Sequence, residues 1–396
     1  MPLTEMFMES KSLKIVYITP ALYMAGGVER VLTLKANYFV DHFGYDITII
    51  LTDGKDKPLF YPLSDKIEII NLDINYEELW HCSFLRKVLL YLHKQRIFKR
   101  QLSDKLMQIK PDITVSLLRR EINFINSLKD GSKKIGELHV NKANYRNFEA
   151  NETNFLKRMF QKIWMRSLVG HLKSLDKFVV LTCEDRAAWS EVENVMVIPD
   201  PLSFNPHTVS PLLSKRVIAV GRYCYQKGFD LLLNAWARVE ENIQDWELVV
   251  YGTGDRKPYE ELSLKLKLKN CSLRGSTKDI EKEYLNSSLF VFSSRFEGFG
   301  MVLVEAMACG LPVVSSNCPC GPKDIIDDGI DGLLFENGNP KELAEKLMDV
   351  MSNSFHRKSL AQKGVKKARH YEIQIIAEKW KDLFEELVSQ PKAKIK

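Results

Sequence analysis

Short apolar runs closed by turn residues alternate with longer stretches of helical periodicity along nearly the whole chain. Strands are predicted at 14–19, 46–53, 66–73, 112–118, 133–140 and 177–183. Helices are predicted at 28–40 and 84–109, the second ended by Pro111. Strands that read as continuous apolar runs are buried on both faces, so this alternation predicts a parallel sheet with helices on either side.

The pattern then breaks and restarts. Residues 195–206, VMVIPDPLSFNP, carry Pro199, Pro201 and Pro206 and read as a linker. A second series follows, with strands at 216–222, 246–254, 271–275, 288–294 and 311–316. Its helices fall at 228–239, 257–268, 277–287, 300–310, 339–351 and 371–390. The expected fold class is α/β, two doubly wound Rossmann-like halves facing a central cleft. The expected division is a first domain at 1–198, a second at 199–370, and a C-terminal helix at 371–396 packing back on the first domain. In open parallel sheets ligands bind beyond the carboxyl ends of the strands, so two such sheets would hold a ligand between them.

Composition narrows this picture. With 45% hydrophobic and 27% charged residues over 396 positions, the chain is ordinary for a globular protein. No run approaches the roughly 20 apolar residues of a membrane span. The start, MPLTEMFMES, lacks the basic-then-apolar order of a secretory leader. Seven Cys without paired spacing read as reduced thiols of a cytoplasmic protein, and Cys318 and Cys320 have no second pair of ligands nearby. A net charge of +6 is too mild to imply a nucleic-acid partner. The charge is concentrated, however. Residues 86–177 carry 21 Lys/Arg against 8 Asp/Glu, an excess of 13 that leaves the remainder at −7. Within it, 86–110 and 155–175 interleave basic with apolar residues, a pattern suited to an anionic membrane surface as well as to a solvated helix face.

Four groups of residues could carry chemistry. Gly26 and Gly27 stand between the first strand and its helix, where backbone N–H groups can approach an anion. Arg222 and Lys227 flank a short loop after the first strand of the second half, two cations able to hold a diphosphate. The segment SSRFEGFGMVLVEAMACGLP, 293–312, holds Glu297 before a helix and Glu305 just over one turn into it. The N–H groups of Gly300, Met301 and Val302 lie between them, so carboxylates suited to hydroxyls border amides suited to phosphate. Glu305 could instead be buried and paired with a base. His139 ends a strand of the first half and would face the cleft, although a lone His is more often structural.

Together these residues resemble glycosyltransferase family 4, retaining enzymes of the GT-B fold. The resemblance rests on Glu297 and Glu305 with seven residues between them, on Phe296-Glu297-Gly298-Phe299-Gly300 with the following EAMACGLPVVSS, on GGVER, and on the GR…QKG loop. CPCGPKDIIDDGIDGLLF, 318–335, is similar to the subset that adds α-linked galactose, glucose or their N-acetyl amines to bacterial surface glycans or glycolipids.

The resemblance implies a nucleotide-sugar donor, UDP-linked by preference, and a lipid-linked or glycolipid acceptor. It implies no cofactor and no metal, and a peripheral location on the inner face of the cell membrane. Arg222 and Lys227 would bind the diphosphate, Glu305 the ribose, and Glu297 the transferred sugar beside the amides of Phe299 and Gly300. His139 would sit near the reacting carbon. Gly27 would bring the first loop to the donor phosphate, and Arg274, Gly275 and Ser276 would lie by the base. One departure is Pro199-Asp200-Pro201, where many members read Pro-Asn-Pro. Another is Leu138 before His139, where many carry a polar residue. A nucleotide-sugar epimerase, a phosphorylase and a non-catalytic sugar-nucleotide scaffold share the architecture and stay open.

Overall fold

The structure is a computed structural model and describes residues 12–145 and 155–390. The segment MPLTEMFMES, read for a leader, lies outside the described residues.

The first lobe is built from β1 (Lys14–Thr19), α1 (Gly27–Phe43), β2 (Asp46–Leu51), β3 (Glu68–Asn71), α2 (Phe84–Ile109), β4 (Ile113–Ser116), β5 (Lys133–Glu137), α3 (Phe155–Lys173), β6 (Lys177–Val180), α4 (Cys183–Ala188) and β7 (Val195–Val197). Its strands are all parallel, in the order β3-β2-β1-β4-β5-β6-β7. The second lobe contains β8 (Arg216–Val220), α5 (Phe229–Asn242), β9 (Glu247–Tyr251), α6 (Lys257–Lys265), β10 (Cys271–Arg274), α7 (Ile280–Leu285), β11 (Leu289–Phe292), α8 (Met301–Ala308), β12 (Val313–Ser316), α9 (Pro322–Ile325), β13 (Leu333–Phe335), α10 (Pro340–Ser352) and α11 (Ser354–Ala368). Its parallel order, β10-β9-β8-β11-β12-β13, repeats that of the first sheet. In each lobe the strand order reverses beside the first strand, between β1 and β4 and between β8 and β11. Those are the two switch points where a crevice must open.

Each sheet is covered on both faces, which is why its strands read as unbroken apolar runs. In the first lobe, Phe98, Leu102 and Leu106 of α2 and Leu168 and Leu172 of α3 cover one face. Leu32, Ala36 and Phe39 of α1 cover the other, together with α12 (Ile373–Ser389). Helix α12 follows the second lobe in sequence yet packs against α1. Ile376, Ala377, Trp380, Leu383, Phe384 and Leu387 form its apolar stripe, a 3.6-residue repeat that is fully buried. In the second lobe α5 and α10 cover one face around Trp236 and Leu347, and α8 and α11 the other.

The linker reading at 195–206 needs one correction. Residues Val195–Val197 pair with β6 and extend the first sheet, so the crossing starts later. Three parallel residues at a sheet edge, followed by prolines, give too short an apolar run to separate from a loop. Helix α11 and strand β13 were likewise not predicted.

Candidate active site

The loops after β8 and β11 are knitted together at the second switch point. Ser293 Oγ donates to the Lys227 carbonyl at 2.9 Å, and the Arg295 amide donates to the Gln226 carbonyl at 2.7 Å. Arg295 grips Asp230 of α5 with both nitrogens, at 2.8 and 2.6 Å. Gly228 has φ +60°, and a Cβ there would fall 2.1 Å from the Ser293 carbonyl oxygen, so only glycine lets the two loops close. The result is that Lys227 Nζ lies 2.6 Å from Glu297 Oε1, directly before the N-terminus of α8. Gln226 donates to the Phe296 carbonyl at 3.0 Å and steadies the same loop.

The sequence-predicted residues divide into three groups. Lys227, Glu297, Gly298, Phe299, Gly300, Met301 and Val302 come together at that N-terminus, where the first amides of α8 lack intrahelical acceptors. Gly27 meets them from the first lobe: a Cβ on it would lie 3.9 Å from Met301 Sδ, so the N-termini of α1 and α8 approach each other across the cleft. Arg222 is exposed on the same β8 loop and has no hydrogen-bond or ion-pair partner among the described residues. Arg274, Gly275 and Ser276 are exposed at the end of β10, with Arg274 Nη1 2.8 Å from the Tyr251 hydroxyl.

Glu305 follows the alternative left open above. It is 3% exposed, and Arg30 Nη1 lies 3.1 Å from its Oε1. Ser203 Oγ donates to the same oxygen at 2.5 Å, and the Tyr284 hydroxyl donates to Oε2 at 3.2 Å. Burial, and then the Glu305 carboxylate, push the Tyr284 hydroxyl well above its ordinary range. Arg30 belongs to the GGVER motif of the first lobe, so this pair bridges the lobes.

His139 stands in a buried row of charges. Its Nε2 lies 3.1 Å from Glu137 Oε1, and its Nδ1 faces Asp200 Oδ1 at 3.4 Å, an ion-pair distance without hydrogen-bond alignment. Both ring nitrogens thus face carboxylates of the protein. Lys35 of α1 completes the row by donating to Glu137 Oε1. Burial opposes charge on the ring, but Asp200 and Glu137 outweigh it and carry the His139 pKa up to about 9. Burial likewise works against the Glu137 carboxylate, yet Lys35 and His139 bring it down to about 2. Glu137, His139 and Asp200 have the donor types of a metal site. The Lys35 ammonium already supplies the cation on Glu137.

The first lobe meets this cluster through backbone. A Cβ on Gly298 would fall 2.2 Å from the His139 carbonyl oxygen, and Asn141 Nδ2 donates to the Glu297 carbonyl at 2.7 Å. At the first switch point a crevice of about 390 Å³ opens among Met24, Glu29, Asp53, Glu77, Arg119 and Arg120. A larger hollow, about 510 Å³, lies at the opposite, amino ends of β8 and β9 around Lys215, Arg216 and Asp245, away from both helix N-termini.

Residues 207–367 match the family described as glycosyl transferases, group 1. End to end, the chain is 27% identical over 383 residues to an uncharacterized glycosyltransferase of Haemophilus influenzae, covering 93% of this chain and 99% of that one. Over residues 207–367 the chain is similar to the group 1 glycosyl transferases. A second relative is the GalNAc-alpha-(1->4)-GalNAc-alpha-(1->3)-diNAcBac-PP-undecaprenol alpha-1,4-N-acetyl-D-galactosaminyltransferase of Campylobacter jejuni, 24% identical over 95% of this chain and 99% of its own. Among solved structures, a variant of TarM from S. aureus in complex with Fondaparinux, alpha-GlcNAc-glycerol and UDP superposes with a TM-score of 0.74 at 17% identity, covering 94% of this chain and 99% of TarM. The fold is GT-B.

Arg30, Ser203 and Tyr284 around Glu305, Gln226 and Asn141 around Glu297, and Lys35, Glu137 and Asp200 around His139 were not read from the sequence as site residues. Lys35 alone left a local signal. It sits on the apolar stripe of α1, between Leu32 and Ala36 on one side and Phe39 on the other, where a charge demands a partner.

Proposed function

We propose that this glycosyltransferase is a retaining, family 4 enzyme. It moves a hexose or N-acetylhexosamine from a UDP-sugar to a hydroxyl of a lipid-linked glycan or glycolipid, with the α configuration kept. One arrangement carries the reading: Lys227 against Glu297 at the mouth of the α8 N-terminus, opposed across the cleft by the N-terminus of α1. Lys227, Arg222 and the α8 amides take up the negative charge that grows on the departing diphosphate, an interaction that strengthens toward the transition state. They fill the place a divalent ion takes elsewhere. Glu297 accepts from hydroxyls of the transferred sugar, and the ribose reaches Glu305 by taking over a hydrogen bond now made by Arg30 or Ser203. The loop 274–276 lies by the base. The acceptor oxygen bonds to the anomeric carbon on the face from which the diphosphate leaves, and the acceptor proton passes to the leaving phosphate oxygen.

The acceptor reaches the cleft from the first switch point, where Arg119 and Arg120 line the crevice. The outward side of α2 exposes Val88, Leu89 and Leu92 ahead of Arg96, Lys99 and Arg100, and α3 exposes Met159 and Ile163 beside Lys162 and Arg166. The side chains of 155–158 and 160 lie outside the described residues. No helix among the described residues is long and apolar enough to cross a membrane. These two helices suit a bilayer's anionic inner surface, where a lipid-linked acceptor resides. A Campylobacter relative named for a PP-undecaprenol substrate supports this acceptor class.

The test is turnover with a panel of UDP- and GDP-sugars and a polyprenyl-diphosphate-linked glycan, with the product's anomeric configuration read by NMR. An α-linked product from a UDP-sugar, formed equally well with EDTA present, is expected. A β-linked product, or loss of turnover with EDTA, contradicts the mechanism. Co-flotation with phosphatidylglycerol vesicles that disappears at high salt is the expected membrane result.

A further inference from the structure

Among the described residues two segments carry the chain between the lobes, the linker after β7 and the turn into α12, and a buried row of charges runs from that linker to α12 itself. The row runs Lys35, Glu137, His139, Asp200, alternating in sign, with each side chain less than a tenth exposed. Asp200 is in the linker. At the other end, Lys35 Nζ stands 4.3 Å from the ring centroid of Trp380 in α12. Between these ends, His139 belongs to the loop that closes on the second lobe, through its carbonyl at Gly298 and through Asn141 at Glu297.

We propose that Asp200 is a positioning residue: by pairing with a doubly protonated His139 it ties the linker to the β5 loop, and so holds the lobes closed over Glu297 for as long as the ring keeps its second proton. With the proton, the row is two positive and two negative charges in alternation. Without it, two carboxylates in a dry interior share only Lys35, and Asp200 is left facing an uncharged ring. The cheapest relief is for Asp200 to reach water, and Asp200 can do so only by moving the linker. The groups facing His139 are Glu137 from β5 and Asp200 from the linker, with Lys35 of α1 behind Glu137. The buried Tyr17 hydroxyl of β1 is raised by burial first and Glu137 second, and stays neutral across the range concerned. The Lys227–Glu297 pair lies beyond Gly298. An amide at position 200 would keep the shape and lose the charge, and the Asp in Pro199-Asp200-Pro201 supplies that charge here. The inference concerns lobe closure and holds whichever sugar is transferred.

Two measurements on the full chain decide it: the His139 ring titration by NMR, assigned with His139→Gln, and the radius of gyration by X-ray scattering from pH 6 to 10. The wild-type ring is expected to titrate near pH 9 and the particle to expand across that same interval. Asp200→Asn is expected to lower the midpoint by at least one pH unit and to move the expansion with it. His139→Gln is expected to be expanded, and equally so, at every pH. A midpoint unmoved in Asp200→Asn overturns the proposal, as does a wild-type radius constant through the ring's titration. The wild-type scattering series needs no variant to fold, so a radius constant from pH 6 to 10 overturns the proposal even if both substitutions abolish folding.

Discussion

At the scale of single residues, the site is governed by which carboxylates have protein partners. Glu305 shows what that implies. Replacing it with Ala strands Arg30, Ser203 and Tyr284, and the buried hydroxyl loses its acceptor. Leaving a buried polar group unpaired costs about 1–3 kcal/mol. Glu305→Ala is therefore expected to lower unfolding free energy by about 2 kcal/mol in urea as well as weakening UDP binding by calorimetry. Full stability with weak binding would mean that the ion pair contributes nothing. The charge row makes a prediction of opposite kind, in pH. The His139 pKa rises on folding from its ordinary 6.5 to about 9, so its contribution to stability is complete below 6.5 and is lost as pH rises through 9. Glu137 falls from 4.5 to about 2, so its contribution is present above 4.5 and is lost only as pH falls through 2. Calorimetric melting temperatures should decline between pH 7 and 10, and Lys35→Met, which strips Glu137 of its ammonium, should cost about 3–5 kcal/mol at neutral pH. A flat melting temperature across the alkaline range is the contrary result.

At the scale of elements, close approach between backbones does what side chains do elsewhere. Gly298 admits the His139 carbonyl where any Cβ would collide with it at 2.2 Å. Gly298→Ala is thus a wedge between the lobes and not a lesion within either. It should cut turnover at least tenfold and enlarge the radius of gyration while leaving the melting transition within a few degrees of wild type. An unchanged radius would show that loop 139–141 yields instead. The same glycine marks the limit of what the sequence made legible. The strand runs, the restart after the proline-rich segment and the helix opening at Met301 follow from periodicity and turn residues, which are local. Glu297 and Lys227 were found because a strand end and a helix N-terminus each imply a place for an anion. Which carboxylate pairs with which base was not legible, because Glu305 and Arg30 lie 275 positions apart and meet only when two independently folded sheets face each other. Strand β7 was missed for a different reason: three parallel residues beside prolines carry no period. Lys35 sat in plain view on an apolar stripe, and only its partner was hidden.

At the scale of the molecule, the lobes are held together differently from the way each is built. Each sheet has its own apolar packing on two faces, and α12 belongs to the first. Across the cleft Leu181, just after β6, packs into the second lobe's core, and the remaining bonds are polar. Besides Arg30 with Glu305 and Asn141 with the Glu297 carbonyl, two short helices exchange carboxylates. Asp324 of α9 accepts from the Cys183 amide opening α4 at 2.7 Å, and Glu184 of α4 accepts from the Cys320 amide just ahead of α9 at 2.8 Å. Water can replace every one of these partners once the lobes part, so the closed state is favoured by little and relative motion is the natural expectation. Hydrogen bonds to charged groups contribute about 1.5–3 kcal/mol each when solvent is excluded, and less where, as at Cys183, the amide is exposed. Glu184→Ala combined with Asp324→Ala is then expected to shift closure by about 1.4 kcal/mol, a tenfold change in equilibrium. That shift should raise the donor KM about tenfold with kcat changed less, because the open form must be closed by donor binding before reaction. Each single variant should achieve much less than half of the double variant's effect, since either bond alone fixes the same rotation. Unfolding in urea should stay as in the parent, because neither lobe loses core. Equal and independent contributions from the two carboxylates, or a loss of global stability, would mean that α4 and α9 form a rigid seam rather than a clasp, and that the cleft opens somewhere other than between these sheets.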